Sequence, residues 1–592
     1  MNIDNVQNIN YLWSELIMEE LFRNGIKYIC ISPGSRSTPL TLAAAKHKEL
    51  VKKIHFDERG LAFYALGIAS ATGEPVVIVS TSGTAVANFF PALIEASKKK
   101  LPLIFITADR PPELRKSGSL QTIDQPGIFG KYVRWETDLP VPDKKIRPEF
   151  ILTTVDQAIF MARNPLPGPV HINCMFRKPL EPIKSKEVHE DIIPIDERWK
   201  NSRSPFTTYF KKEEKIKEKT VKKLTDIIEK TGSGIIVAGK LRNIDEAKAV
   251  VKLSEHLGWP LFGDIVSGIR NLPGKNSINN WDLLLLNNNL FKEEVNTIIH
   301  LGGRITSKRW YEFIKKNRPE NYITILNHPL KNDPLHLVSH RIFSSPCLFA
   351  NEIIRNSARK ERSSKIASLL KLSDKTGMII KEFINSRNKL DEIFVTMEIS
   401  KLVEDETILF LGNSMPVRDM DMFYYGGKKK ILWGGNRGTS GIDGNIASAS
   451  GFSEGSERPL TLVIGDIAAL HDLNSLSIAS KSKKSFNAVI LNNNGGGIFS
   501  YLPVSDYWGD SKNYFTTPHN LNFKKAAEMF GFGYYKASDK NEFKKSFKSA
   551  LKSEKNNLIE VFIDMETSVE SHKKLIEKLV DFYNISNGGK SE

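Results

Sequence analysis

The feature that most constrains this chain is a series of short β-branched runs, each followed by a helix-like pattern. The runs are KYICIS, PVVIVSTSG, LPLIFITAD and GPVHINC, then GIIVAGK, TIIHLGG and YITILN, then TILFLGNS, LTLVIGD, FNAVILNNN and LIEVFID. Strands that are continuously apolar must be buried on both faces, and their alternation with helices indicates parallel sheets covered by helices on either side. At 592 residues the chain is too long for a single core. Two charged, apolar-poor stretches divide the series, at about residues 182–222 and 356–376. The expectation is three doubly wound α/β domains, over residues 1–185, 186–360 and 361–592. No repeat period is visible, although the outer two domains should share an architecture.

Composition narrows the function classes. No stretch approaches the roughly 20 apolar residues of a membrane span, and the opening MNIDNVQNIN lacks the basic and apolar regions of a signal peptide. A cytoplasmic location is expected. Cys30, Cys174 and Cys347 lie far apart and in no metal-ligand spacing, so buried free thiols are expected. The formal charge of +16 raises nucleic acid as a partner. The lysine runs at Lys98–Lys100 and Lys428–Lys430 carry no aromatic interleaving and no recognisable binding motif, so no nucleic-acid partner is expected. Part of the positive excess can serve acidic substrates.

Two polar clusters fall at the carboxyl ends of predicted strands. LTLVI runs into Gly465 and Asp466, and FNAVIL runs into Asn492, Asn493, Asn494, Gly495 and Gly496. Sheets of this class place ligands at that end, and glycines there let backbone approach a phosphate closely. A carboxylate from Asp466, an amide oxygen from Asn493 and a backbone carbonyl form a hard-oxygen set suited to Mg²⁺. Taken alone, an Asp after a strand is also a helix cap, and Asn-Gly is also a turn.

The GD followed by NN resembles the diphosphate-and-metal motif of thiamine diphosphate enzymes. At the other end of the chain, HFDERGLAFYALGIASATG and PVVIVSTSGTAVANFFPALIEA look like the pyrimidine-binding domain of the same enzymes. The resemblance implies thiamine diphosphate with Mg²⁺, or Mn²⁺ in its place. It assigns Glu58 to the carboxylate that bonds the cofactor's aminopyrimidine and favours its basic imino tautomer. Ile442 in NRGTSGIDGN becomes the apolar wedge under the bent cofactor. Ser82, Gly83, Asn413, Gly465 and Gly495 become further cofactor contacts, with Asp466, Asn493 and Gly495 on the metal. Ile467 departs from the wider group, which usually has Gly after the Asp.

A narrower resemblance rests on ISPGSRSTPL, STSGTA, TADRPPEL, QTIDQPGIFG, GNSMPVRDMD, NRGTSGIDG, GDIAALHDLN and NNNGGGIFSYLP, with GRITSKRW in the middle domain. These segments are similar to those of the 2-succinyl-5-enolpyruvyl-6-hydroxy-3-cyclohexene-1-carboxylate synthases of menaquinone biosynthesis, transferases that keep a non-Gly residue after GD. The resemblance implies that 2-oxoglutarate is decarboxylated and its succinyl unit added in a 1,4 sense to isochorismate. Both substrates are dicarboxylates, and arginine's planar fork suits them. By matching motifs, Ser35, Arg36, Arg110, Gln121, Lys308 and Arg309 face isochorismate. Ser414, Arg418 and Arg437 hold the succinyl end and, with Glu58, form the catalytic set, while Ile498 and Phe499 wall the site. Leu120 and Gly497 stand where some members have Asn and Gln, which bears on acceptor selectivity. TGSGIIVAGK lacks a full GxGxxG, so FAD is not expected in the middle domain. The resemblance also implies a homodimer or homotetramer whose cofactors are shared between chains. The competing readings are another thiamine-dependent 2-oxoacid carboligase or decarboxylase, and a non-catalytic binding protein on the same fold.

Overall fold

The computed structural model of the chain describes residues 6–184, 194–210, 215–272, 274–291, 295–425, 427 and 429–586; Lys428 of the second lysine run lies outside them. Three sheets of parallel strands follow one another along the chain. The first holds β1 (Tyr28–Ile31), β2 (Val51–Ile54), β3 (Val76–Ser80), β4 (Leu103–Asp109), β5 (Glu136–Leu139) and β6 (Val170–Met175), in the order β2-β1-β3-β4-β6-β5. The second holds β7 (Gly234–Ala238), β8 (Leu261–Gly263), β9 (Thr297–Leu301), β10 (Asn321–Leu326) and β11 (His340–Phe343), in the order β11-β10-β9-β7-β8. The third holds β12 (Ile408–Leu411), β13 (Leu432–Gly434), β14 (Leu460–Gly465), β15 (Phe486–Asn492), β16 (Gly533–Ala537) and β17 (Asn557–Phe562), in the order β13-β12-β14-β15-β17-β16. The first and third sheets therefore share one strand order. The α/β class read from the strand runs is the architecture observed.

The two-faced burial that the runs require is visible residue by residue. In the first sheet Ile29, Ile31, Val77, Val79, Ile104 and Ile106 enter a core with helices Ile9–Arg23 and Glu149–Arg163. Their neighbours Tyr28, Cys30, Val76, Ile78, Leu103 and Phe105 enter another with helices Glu58–Thr72 and Phe90–Lys99. That is the period of two of a strand buried on both sides. Cys30 and Cys174 are buried free thiols, and Cys347 is only partly buried.

By packing, the chain forms two compact units. The first comprises residues 1–211, 436–458 and 468–486, and the second residues 212–435, 459–467 and 487–592. The boundary between residues 211 and 212 falls within the first charged stretch, and both charged stretches carry buried structure. In the first stretch, Ile195 and Trp199 join the core of the first sheet, and the Trp199 indole donates to Glu20 Oε2 at 2.6 Å. In the second stretch, the 22-residue helix Ser364–Asn385 starts on a Ser363 cap. Its sparse apolar positions Ile366, Leu369, Ile380, Phe383 and Ile384 meet Phe262, Trp281 and Trp310, together with Leu575, Leu579 and Tyr583 of the last helix. The second sheet and the last helix therefore share one core. Among the described residues no helix is long and apolar enough to cross a membrane.

Within the first unit, helices Glu58–Thr72 and Asn445–Ser456 cross at backbone contact. A Cβ on Gly67 would lie 2.1 Å from Ser448 O, and one on Gly451 would lie 1.9 Å from Tyr64 O. Phe63 lies against Gly444 and Ala71 against Gly455, so both helices start at the same end of the crossing. Because the obstacle is backbone on both sides, a side chain cannot be absorbed by a rotamer change. We predict that Gly67→Val destabilises the folded protein by about 3 kcal/mol or more, read as a fall in the urea midpoint. An unchanged midpoint would contradict this packing.

Candidate active site

The strand orders place a topological switch point in each sheet, where successive connections leave in opposite directions. Ligands of doubly wound sheets bind at the carboxyl ends of the two strands flanking that point. In the first sheet these are β1 and β3, which lead into Ser35 and Arg36 and into Ser82 and Gly83. The two loops touch, since a Cβ on Gly34 would lie 2.4 Å from the Thr81 Cβ.

Around this crevice the structure gathers five of the residues expected there. Arg36 donates to Phe176 O at 2.9 Å. Arg110, which follows β4, donates to the Ser82 hydroxyl. Gln121, at φ 59°, donates to Ser82 O at 3.3 Å, and Gly83, at φ 85°, packs on its side chain. Arg36 and Arg110 are only 8% and 9% exposed, and the buried Nε of each has no hydrogen-bond partner. Burial first, and the charge of Arg110 second, lower the proton affinity of the Arg36 guanidinium. Asp109 does not neutralise the pair fully, because its carboxylate already accepts from the Arg110 backbone at 2.7 Å, from Arg115 at 2.7 Å and from Asn173 at 3.0 Å. Two buried cations with unsatisfied donors are suited to receive an anion. Ser35 sits at the rim, and Leu120 is 86% exposed and adds nothing to the crevice.

In the third sheet the switch point lies between β12, which leads into Asn413 and Ser414, and β14, which leads into Gly465 and Asp466. Asp466 is 1% exposed. Its Oδ1 accepts from the Ile467 N–H at 2.7 Å and its Oδ2 from the Gly495 N–H at 2.9 Å. Burial pushes its carboxyl up from the ordinary value, against the pull of those bonds and of His519. Gly495 adopts φ 143°, where a Cβ would strike Thr516 O at 2.2 Å, so only glycine fits. A Cβ on Gly497 would lie 2.5 Å from Asn493 Nδ2, so glycine at 497 leaves room for that amide. Ile498 and Phe499 occupy the one-turn helix Gly497–Tyr501, with Phe499 packed on Phe515 at 5.9 Å.

Asp466, the Asn493 amide and the Gly495 backbone offer one charge and several hard oxygens. Among the described residues no group of three His, Cys, Asp or Glu side chains could hold a metal. The donor set thus suits an ion that takes its remaining ligands from phosphate and water, as Mg²⁺ does.

The other expected residues are positioned as follows. Glu58 lies in the first turn of its helix, behind an Asp57 cap that accepts from Arg59 N and Gly60 N. Arg59 donates to His471 O at 2.8 Å. In the same unit, the Glu95 carboxylate pins the loop of Arg437 by accepting from Gly438 N at 2.7 Å and Thr439 N at 2.6 Å. Ile442, in the turn before helix Asn445–Ser456, is 38% exposed, a prominence that suits an apolar prop. In the second unit, Ser414 caps helix Met415–Phe423 at φ 72°, and Arg418 bonds back to its carbonyl. Lys308 is exposed beside Glu312, and Arg309 is turned onto Asp282 in an ion pair. Arg309 therefore compensates a buried protein carboxylate, a role its motif does not announce.

Several contributors escaped sequence reading. Gln125 is fully buried, accepts from the Gly83 N–H at 3.2 Å and donates to Asn173 Oδ1 at 2.7 Å, tying the β3 turn to β6. His519 accepts from Leu521 N at 2.9 Å through Nδ1, so its proton sits on Nε2, 3.2 Å from Asp466 Oδ2. Both lie inside segments rich in turn residues, where a polar side chain gives no period to recognise.

Comparison with known proteins gives this geometry a family. A model described as "Thiamine pyrophosphate enzyme, N-terminal TPP binding domain" matches residues 13–128. One described as "Middle domain of thiamine pyrophosphate" matches residues 194–411, and "Thiamine pyrophosphate enzyme, C-terminal TPP binding domain" matches residues 421–561. A 2-succinyl-5-enolpyruvyl-6-hydroxy-3-cyclohexene-1-carboxylate synthase of Rubrobacter xylanophilus is 39% identical over 575 residues, covering 97% of this chain and 99% of its own. Synthases of the same name from Prosthecochloris aestuarii, 39% identical over 98% of both chains, and Salinibacter ruber, 37% identical over 97% of this chain and 98% of its own, are similarly related. The chain belongs to the 2-succinyl-5-enolpyruvyl-6-hydroxy-3-cyclohexene-1-carboxylate synthase family of thiamine pyrophosphate enzymes.

Proposed function

We propose that this chain is a transferase of menaquinone biosynthesis. It decarboxylates 2-oxoglutarate and adds the succinyl unit to isochorismate, giving 2-succinyl-5-enolpyruvyl-6-hydroxy-3-cyclohexene-1-carboxylate and CO₂. The observation that carries this reading is the buried Arg36 and Arg110 pair at the first switch point, in a chain related along 97% of its length to synthases of that name. A simple decarboxylase has no acceptor to bind and no use for a second anion receptor. The working form is a homodimer or a pair of such dimers, which sedimentation velocity checks.

Thiamine diphosphate, when bound, supplies the electron sink that a 2-oxoacid needs to lose CO₂. Asp466, Asn493 and Gly495 would hold its diphosphate through a divalent cation, Mg²⁺ or Mn²⁺, with Ser82, Gly83, Asn413 and Gly465 lining the cofactor. Glu58 would hold a proton against the aminopyrimidine ring, and Ile442 would support the bend from below. Ser414, Arg418 and Arg437 would fix the distal carboxylate of 2-oxoglutarate. Ser35, Arg36, Arg110 and Gln121 would orient isochorismate, Lys308 would add positive charge, and Ile498 with Phe499 would exclude water. Arg309 stays with Asp282 and supports the fold.

Two measurements separate these roles. Asp466→Ala should leave a folded protein whose calorimetric affinity for thiamine diphosphate with Mg²⁺ falls at least tenfold, the least expected from losing a charged ligand. Unchanged affinity would remove Asp466 from the metal site. In single turnover with 2-oxoglutarate alone, Arg418→Ala should slow CO₂ release by about 30-fold or more, the scale of a lost buried charge contact. Arg36→Ala should release CO₂ at a near-normal rate and fail only when isochorismate must be consumed. Equal impairment of CO₂ release by both substitutions would refute the two-receptor division.

A further inference from the structure

Two segments that face substrate in this reading are helix Met415–Phe423, which carries Ser414 and Arg418, and the turn Gly497–Tyr501, which carries Ile498 and Phe499. Each carries a polar side chain that meets the last helix, Asp419 on the first and the partly buried Tyr501 on the second. Asp419, one residue after Arg418, is fully buried, and its Oδ1 lies 2.9 Å from His572 Nε2 on helix Met565–Ser586. His572 Nδ1 lies 2.9 Å from Ser568 O and 3.0 Å from the Tyr501 hydroxyl.

The pattern of acceptors decides the ring's protonation. A carbonyl and a carboxylate can only accept, so a neutral imidazole would leave one nitrogen lone pair against one of them. His572 is therefore an imidazolium that donates to Asp419 through Nε2 and to Ser568 O through Nδ1. Burial opposes that charge, yet Asp419 raises the ring to about 9. The Tyr501 oxygen accepts a share of the Nδ1 proton and donates its own toward Ser568 Oγ at 3.3 Å, which in turn bonds Glu392. Glu392 is buried on helix Glu392–Leu402, and burial raises it to about 7. The ring also packs against Phe423, with centroids 5.7 Å apart. Two residues beyond Asp419, the buried Arg270 holds Asp421 at 2.7 Å and so fixes the far end of the same helix.

We propose that His572 is a positioning residue for the two-substrate reaction: from the last helix it bonds both Asp419 and Tyr501, and so locks the segment bearing Ser414 and Arg418 to the segment bearing Ile498 and Phe499. The inference rests on the function proposed above for the outcome in kinetics. It rests on the structure alone for the mechanical link.

Tyr501→Phe removes one oxygen, and His572→Gln keeps a donor toward Asp419 while losing the contact to Tyr501. Hydrogen exchange of the full-length protein should accelerate in both residues 415–423 and residues 497–501 in either variant. In the coupled assay the KM for 2-oxoglutarate should rise about tenfold, the scale of one net hydrogen bond, with kcat within about twofold. The double variant should be no worse than the more severe single one, as expected of residues acting through one contact. Faster exchange confined to residues 565–586, or additive effects, or unchanged KM in both variants, would overturn the proposal. Variants that show this exchange pattern, alongside wild-type protein that makes no product, would overturn the proposed function instead and leave the link standing.

Discussion

Parallel strand pairing is the constraint on which the rest of this molecule depends. It forces burial on both faces of every inner strand, and it sends all the carboxyl ends of a sheet toward one edge. The first and third sheets solve it with the same strand order, and each opens a switch point after its first strand. At those two points the chain places PGSRS with TSG, and GNS with GD. The second sheet has a switch point too, between β7 and β9. There a Cβ on Gly239 would lie 2.0 Å from Gly303 O, so the loops that follow β7 and β9 meet at backbone contact.

The charges follow from that arrangement. Loops at a sheet's carboxyl end are rich in exposed amides but must be held still to act as receptors, and here buried ionic groups do it. Glu95 fixes the Arg437 loop, and Asp109 with Arg115 fixes the start of the Arg110 loop. Asp419 and Asp421 fix the helix of Arg418. Breaking one such pair leaves an uncompensated buried charge, which costs far more than a surface ion pair is worth. Arg36 and Arg110, two of the arginines whose buried Nε has no acceptor, are assigned to isochorismate in the function proposed above.

Much of this was legible in the sequence, and what was missed has a physical pattern. The eleven apolar runs are the inner strands of the three sheets. β2, β5, β8, β11, β13 and β16, which the runs do not reveal, are the six edge strands. Edge strands such as Val51–Ile54 and His340–Phe343 are half exposed and need no continuous apolar run. Helix Ser364–Asn385 was hidden for a related reason, since its buried positions recur only every third or fourth residue among Lys and Ser. Glycine and arginine motifs pointed to the receptors proposed above, whereas Gln125, His519 and His572 act through contacts distant in sequence and leave no spacing to read. Arg309 shows the converse, a motif residue whose guanidinium the fold spends on Asp282.

In the function proposed above, one chain carries receptors for two different acids, joined through thiamine diphosphate chemistry. The most direct measurement is mass spectrometry of the products formed when the purified protein is mixed with thiamine diphosphate, Mg²⁺, 2-oxoglutarate and isochorismate. The expected product is 2-succinyl-5-enolpyruvyl-6-hydroxy-3-cyclohexene-1-carboxylate, appearing in step with CO₂ and only when both acids are present. Release of succinic semialdehyde with isochorismate untouched, or no consumption of 2-oxoglutarate at all, would contradict it.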